Sequence, residues 1–272
     1  RSGLRVYAAV TFASARHVMR DGYQIDYDWS PDGGRKSYEQ ACTLMDDIES
    51  HPSERLRAMV SPSTLDDVTE TLLRESRQLA DATNRPYTVH AAESVLEVRN
   101  MIERTGKTSI QWAADLGLLG EHCILGHSLF LDEHSWIQWH SRRDLSLLAE
   151  SGASVAHCPT PFSRYGHVLE HFGKYVDAGV NMGIGTDTLP ANMVDEIRIA
   201  TVLAKIAARH VDATSLADVF YAATAGGAKA LGREDIGRLA VGAKADFVTV
   251  DLKHPYMRPV RDPLRSLFFS AG

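Results

Sequence analysis

His90 and Glu93 stand three residues apart at the end of the short β-type run Tyr87-Thr88-Val89. In a parallel α/β protein the ligand site lies beyond the carboxyl ends of the strands, so a histidine placed there faces the ligand. A carboxylate on the first turn after it can reach back over the same spot. One imidazole to hold a metal ion and one carboxylate to move a proton are what metal-assisted hydrolysis requires. A lone His and Glu at this spacing arise often by chance, but the strand-end placement recurs. His122 to His127 is an apolar run closing in Gly126-His127, Ser154-Val155-Ala156-His157-Cys158 is closed by Pro159, and Val180 to Thr188 ends on Asp187 between two threonines. For any one of these residues the plainer reading is a hydrogen-bonded strand-end group. Four of them on successive units, of types suited to zinc or iron, favour a shared metal-dependent site.

The elements that must position these groups alternate between β and α. Six strands are predicted, beginning at Leu4, Leu56, Tyr87, Cys123, Ser154 and Val180. Ser14 to Arg35 is polar, with turn signals at Asp21-Gly22 and Pro31-Asp32-Gly33-Gly34, and reads as a long loop of the sort that carries substrate contacts. Apolar spacing predicts helices over 38–49, 95–105, 108–117, 142–151, 167–178, 192–210 and 215–231. A further helix is expected from a Ser63 or Thr64 cap to about Ala82, with Asp66 and Asp67 in its first turn. His134, His140, His167 and His171, with Trp136 and Trp139, are placed on helical stretches as surface or packing residues.

The series His90-Ala91-Ala92-Glu93, Gly126-His127, Val155-Ala156-His157-Cys158-Pro159 and Gly185-Thr186-Asp187 resembles the amidohydrolase superfamily. The branch it resembles holds guanine and cytosine deaminases, S-adenosylhomocysteine deaminases and s-triazine hydrolases. The tail from Gly237 to Asp251 is similar to that branch's return into its small β-sandwich. The resemblance implies a (β/α)8 TIM-type barrel. In that pattern Asp187 closes the eighth strand, so the first two strands are expected outside this chain. Residues 1–236 would be the barrel, incomplete at its N-terminus, and 237–272 the incomplete start of the sandwich. The family's first strand carries a His-x-His metal pair, and no His-x-His occurs in this sequence.

Residue by residue, the resemblance implies one divalent ion, zinc or alternatively iron, with His90 and Asp187 among its ligands. The ion would acidify a bound water from a pKa of about 15.7 toward roughly 7, giving hydroxide at neutral pH. Asp187 would accept that water's proton, Glu93 would shuttle a proton to a ring nitrogen and then to the leaving group, and His127 would polarise the substrate or orient the nucleophile. Binuclear members carry a bridging lysine on the fourth strand. The run Leu56-Arg57-Ala58-Met59-Val60-Ser61 has none, which favours a mononuclear site. His157 is either a pocket wall bonded to a substrate group or a structural histidine at the rim. Arg164 and Thr188 are candidate substrate contacts, although Thr160-Pro161-Phe162-Ser163-Arg164 departs from the Asn or Ser that the family often places after Cys-Pro.

The implied reaction is hydrolytic deamination of an aromatic nitrogen heterocycle such as a purine, pterin, pyrimidine or s-triazine. The alternatives are chloro- or alkylamino-hydrolysis of an s-triazine and, in another class, a non-catalytic or incomplete scaffold without tight metal binding. Composition fits a small-molecule enzyme. At 272 residues and 44% hydrophobic the chain can bury a substantial core. A net charge of −6 argues against a nucleic-acid partner, and the Pro-Cys-x-x-Cys pair of polynucleotide deaminases is missing. No run approaches transmembrane length. The three scattered cysteines, Cys42, Cys123 and Cys158, fit a reducing compartment, so a cytoplasmic protein is expected. The expected assembly is a homodimer.

Overall fold

A computed structural model of the chain describes residues 3–20 and 24–271. The six expected strands form one wholly parallel sheet in chain order: β1 (Val6–Phe12), β4 (Leu56–Pro62), β5 (Tyr87–Ala91), β6 (Cys123–His127), β7 (Ser154–His157) and β8 (Asn181–Ile184). Between β1 and β4 lies a separate antiparallel pair, β2 (Ala15–Arg20) and β3 (Gln24–Trp29). Sequential parallel pairing with helical crossovers is the wall of a (β/α)8 barrel. The alternation along β5 shows which face meets the helices: Tyr87, Val89 and Ala91 are buried, whereas Thr88 and His90 are only half-buried. Leu125, Val155 and Met182 on the neighbouring strands join Val89 in the core beneath the helices.

The crossover helices are α1 (Pro31–Glu49), α2 (Glu70–Thr83), α3 (Val95–Thr105), α4 (Ser109–Asp115), α5 (Asp144–Ser151), α6 (Pro159–Ser163), α7 (Phe172–Asp177) and α8 (Met193–Ala208). After β8 and α8, α9 (Leu216–Tyr221) runs through a π-turn at Ala222–Gly226 into α10 (Gly227–Ala230). A Cβ at Gly226 would lie 2.3 Å from the Met182 carbonyl oxygen, so this turn packs backbone against backbone on β8.

Three local expectations are corrected. Ser14 to Arg35 is not one long loop. Ile25, Tyr27 and Trp29 alternate with Gln24, Asp26 and Asp28, and this two-residue period forms β3, paired so that His17 faces Tyr27 and Arg16 faces Asp28. Gly33-Gly34 then lies inside the first turn of α1, because Ser30 accepts from the Gly33 amide and Pro31 occupies the first helical position. The α2 helix starts only at Glu70, behind Thr69. Asp66 and Asp67 are buried in the preceding loop, where the Thr64 amide donates to Asp67 at 3.0 Å. Residues 131–143 form no helix, so His134, Trp136, Trp139 and His140 sit in the β6–α5 connection, with His167 and His171 in or at the edge of a second loop.

From Gly237 to Val250 no strand forms among the described residues, and Leu239, Val241, Phe247 and Val248 are exposed. An extended apolar segment makes strand only where a neighbouring strand supplies its hydrogen bonds. The tail is tied back by single contacts instead: Asp246 accepts from the Arg5 guanidinium at 2.9 Å, Met257 is buried, and in α11 (Pro263–Phe269) Phe268 is buried against Phe220 at 5.8 Å between ring centroids.

The start of α1 touches the hairpin base without room for a side chain. A Cβ at Gly34 would come within 2.8 Å of the Ser14 Cα, while the Ser14 hydroxyl accepts from the Thr69 amide at 3.1 Å. Gly34→Ala should therefore destabilise the protein by about 1–3 kcal/mol through overpacking. A lowered midpoint in urea unfolding is the expected result, and an unchanged midpoint would show that the hairpin base yields freely.

Candidate active site

The register of the parallel sheet sets the heights of the candidate groups. His90 pairs with Gly126, Gly126 with Ala156, and Ala156 with Gly183, so three small residues lie level with His90. They leave space in front of the sheet beside the imidazole. Gly126 is needed for this packing, because an added Cβ would stand 3.0 Å from the His90 Cδ2. The His90 Nδ1–H donates to the Ser63 carbonyl at 2.6 Å, which leaves Nε2 with its lone pair. A ring oriented by a backbone carbonyl on one nitrogen and bare on the other is the usual preparation of a histidine for a metal ion.

At the end of β6, His127 and the following Ser128 both take positive φ, at 73° and 43°. The kink is fixed by the Ser128 amide, which donates to Ala91 and Gly126 carbonyls at 3.0 Å. It brings the His127 ring against His90 in a stack 5.3 Å between centroids, with the Phe162 edge 4.6 Å away on another side. His127 is buried, its Nδ1 has no hydrogen-bond partner among the described residues, and burial with the neighbouring His90 and His157 pushes its pKa down to about 3. His157 is likewise buried with an unpartnered Nδ1 and is pushed to about 3 by burial. Both imidazoles are neutral at physiological pH. Buried polar atoms without partners are rare in folded proteins, so two together mark a place where another group binds.

Glu93 follows Ala92, itself at φ 52°, and lies half-buried beyond β5. Burial is the chief cause that raises its carboxyl pKa; the His90 charge opposes the rise, and Asp187 and Asp66 add to it. Glu93 is thus within electrostatic reach of both expected ligands. Asp187 also has positive φ, 52°, after a ladder extended by the Gly185 amide donating to the His157 carbonyl at 3.0 Å. The Thr188 amide turns back to the Thr186 carbonyl at 2.6 Å. The structure therefore brings His90, Glu93, His127, His157 and Asp187 to one rim. Arg164 is exposed, and its guanidinium donates to the Leu189 carbonyl at 3.1 Å, tying the loop after β7 to the loop after β8.

Glu97 is a member of the site that the sequence reading did not single out. It is fully enclosed behind Glu93, accepting from the Glu93 amide at 2.8 Å and the Ser109 hydroxyl at 2.5 Å. Burial, reinforced by Asp66, pushes its pKa up to about 8. The available signal was Ser94-Val95-Leu96-Glu97, a capping-box pattern. Ser94 does cap α3 by accepting from the Glu97 amide, but the Glu97 carboxyl reaches back to residue 93, not to the cap.

His90 and Asp187 offer one imidazole nitrogen and one carboxyl group, a donor pair suited to a divalent ion such as zinc. Among the described residues no group of three or more His, Cys, Asp and Glu is arranged to hold an ion.

The amidohydrolase family model matches residues 2–272. Among curated proteins, the chain is 33% identical over 275 residues to a 5-methylthioadenosine/S-adenosylhomocysteine deaminase of Thermococcus kodakarensis, covering 98% of this chain and 61% of that protein. It is 34% identical to the same-named enzyme of Halobacterium salinarum, covering 86% of this chain and 53% of that protein. Among solved structures, an adenosine deaminase from Xanthomonas campestris with bound zinc superposes with a TM-score of 0.82 at 28% identity, over 98% of this chain and 57% of that one. An atrazine chlorohydrolase of Arthrobacter aurescens complexed with zinc and atraton gives a TM-score of 0.83 at 21% identity, over 98% of this chain and 58% of that one, a likeness of fold alone. The chain thus spans little more than half the length of the proteins it matches.

Two outcomes follow from the packing around His90 and Glu97. Gly126→Ala should displace the His90 ring and weaken zinc binding by about 10–100-fold, the usual cost of disturbing a ligand's support. Competition with a chelating dye measures it, and unchanged affinity would remove His90 from the ion site. Glu97 has a folded pKa near 8, above its unfolded value, so its contribution to stability is full below about pH 4.3 and declines as pH rises to about 8. Glu97→Gln should flatten the fall in stability across that window, as read by denaturant midpoints at stepped pH. A variant that keeps the wild-type slope would show that Glu97 is not the group responsible.

Proposed function

The chain belongs to the amidohydrolase family, and from that premise we propose that it is the catalytic portion of a hydrolytic deaminase acting on an aminopurine nucleoside. The observation that carries the reading is Glu93, a half-buried carboxyl raised in pKa and within electrostatic reach of both His90 and Asp187 at the strand-end rim of a parallel sheet. The named activities of its 33%- and 34%-identical relatives supply the substrate class. A divalent ion, zinc in this proposal, would be held by His90 and Asp187, and when bound it supplies a water acidic enough to ionise near neutral pH.

The chain's own residues do the rest. Asp187 accepts a hydrogen bond from the attacking water and orients it. Glu93 passes the first proton of the water to a ring nitrogen; the second, released from the added hydroxyl to Asp187, goes to the departing amine, which leaves as ammonia, and a carboxyl of raised pKa suits such transfer. His127, neutral, orients the nucleophile and polarises the carbon under attack. His157 offers a hydrogen bond to a polar atom of the ring from a site closed to water. Arg164 holds the Asp187 loop in place through Leu189, and Thr188 lies at the edge where substrate enters. The proposed setting is the cytoplasm, with the chain acting as a homodimer. Among the described residues no helix is long and apolar enough to cross a membrane.

A second reading, a scaffold that binds no ion tightly, has one observation in its favour: two ligands at the rim where a catalytic zinc takes three from protein. Metal content separates the two. The full-length protein should carry about one ion per active site, and none after exhaustive loading would favour the scaffold. Glu93→Gln in that protein should keep its metal while ammonia release from adenosine or S-adenosylhomocysteine falls by roughly 10²–10⁴. Near-wild-type turnover would take Glu93 out of the mechanism, and activity on s-triazines but not nucleosides would transfer the assignment to that substrate class.

A further inference from the structure

The β2–β3 hairpin follows the carboxyl end of β1 and is bound to the rim by a buried carboxylate. Asp66, in the loop after β4, accepts a short hydrogen bond from the Tyr27 hydroxyl and another, 2.5 Å long, from the Thr64 hydroxyl. Asn100 donates to the Tyr27 oxygen at 3.1 Å. Arg104 donates to the Asp66 carbonyl at 2.8 Å and spreads its guanidinium over Tyr27 and Trp29, 5.5 and 5.1 Å from the ring centroids. This attachment fixes His17, the direct partner of Tyr27 in the ribbon, at 5.1 Å between ring centroids.

His17 is an exposed member of this assembly, as are Trp29 and Arg104. Its Nε2 lies 3.6 Å from the Asp66 carboxylate, and its side chain is 43% exposed where that of Asp66 is 3% exposed. It is also within electrostatic reach of Glu93. A carboxylate neighbour draws the proton to Nε2, which leaves Nδ1 as an acceptor. Among the described residues Nδ1 has no hydrogen-bond donor. An exposed imidazole 3.6 Å from a buried acid and within electrostatic reach of Glu93 is more than hairpin packing requires. None of the catalytic tasks assigned above uses it.

Resting on the nucleoside reading, we propose that His17 is a specificity-determining residue. Its Nδ1 accepts a hydrogen bond from a hydroxyl on the substituent carried by the heterocycle, so the site favours a hydroxylated nucleoside over an analogue lacking those hydroxyls. The heterocycle itself is engaged at the rim floor by Glu93 and the two neutral histidines. A lone-pair acceptor on the hairpin that follows β1 suits a donor on the sugar.

The test compares adenosine with its dideoxy analogue in the full-length protein, wild type, His17→Ala and His17→Gln. Loss of an acceptor built for a substrate hydroxyl should raise KM for adenosine by about 10–100-fold in His17→Ala, with kcat little changed and the dideoxy analogue within about threefold of wild type. His17→Gln should recover part of the loss, because its amide oxygen can accept. Equal losses on both substrates would mark His17 as structural, and no loss on either would mark it as idle; each overturns the proposal. If the wild type releases ammonia from neither compound, the deaminase reading fails, and calorimetric binding of the same pair decides the inference. A preference for adenosine that His17→Ala abolishes upholds it, whereas no preference in the wild type, or one that survives the substitution, overturns it.

Discussion

Parallel pairing from β1 through β4 to β8 obliges every strand to end on the same side, and in-register pairing places Gly126, Ala156 and Gly183 level with His90. That constraint decides where chemistry can occur. A strand interior cannot present a side chain to solvent and to the core at once, so the reactive groups lie where the ladder stops. The turn away from the ladder has a visible conformational signature. Ala92, His127, Ser128 and Asp187 all adopt positive φ just past a strand, a region that disfavours side chains other than glycine. Such conformations cost of order 1–3 kcal/mol each and persist where the surroundings over-determine them. Here the Ser128 amide, bonded to two carbonyls on adjacent strands, is part of what holds the kink.

The electrostatics of the rim separate into two kinds of group. His127 and His157 are buried without charge partners, so desolvation keeps them neutral far into acid. Glu93 and Glu97 are buried beside other carboxylates, and their pKa values move upward, Glu97 to about 8. A cluster of acids with raised pKa values beside imidazoles with lowered ones is poised to lose protons readily once a cation arrives. Positive charge at His90 and Asp187 would reverse the sign of the field that Glu93 feels, which explains why such an arrangement is tolerable in a protein built to take an ion. The Ser63 carbonyl on His90 Nδ1 leaves the other nitrogen free for the role proposed for it.

Much of this was legible from residue order, and the exceptions have physical causes. The strand-end histidines and Asp187 could be found because apolar runs stop abruptly on them, and six such runs matched six strands. Their convergence on one rim followed from parallel topology. The antiparallel pair was hidden because the polar content of this stretch imitates a loop and the period-two alternation covers only the six residues of β3; the Asp21-Gly22 turn signal lies outside the described residues. Asp66 and Asp67 imitated the first turn of a helix, since acidic residues after Ser or Thr favour that position. Tertiary burial overrode the local preference, because Asp67 satisfies the Thr64 amide and Asp66 receives the Tyr27 hydroxyl from a segment 39 residues away. Glu97 was missed for the same kind of reason, as its capping pattern was local but its partners Glu93 and Ser109 are not both set by the helix.

The misread hairpin and the misread aspartate turn out to be two halves of one contact. A loop of twenty-odd polar residues could sample many positions over the rim, at a backbone entropy cost of about 1–2 kcal/mol for each residue fixed. Pairing it into a ribbon removes most of that freedom through its own ladder and the Arg16–Asp28 and Arg20–Asp26 ion pairs. Such exposed pairs add little stability themselves. What remains is the orientation of the ribbon as a body, and a few directed bonds can set it. Tyr27 to Asp66, with Arg104 across Tyr27 and Trp29, supplies them from β4's loop and from α3. Because α3 begins just after Glu93 and contains Glu97, the hairpin, Glu93 and the buried acid behind it all take their positions from the same helix. In the proposed reaction the hairpin is thereby referenced to the carboxyl that would move the proton.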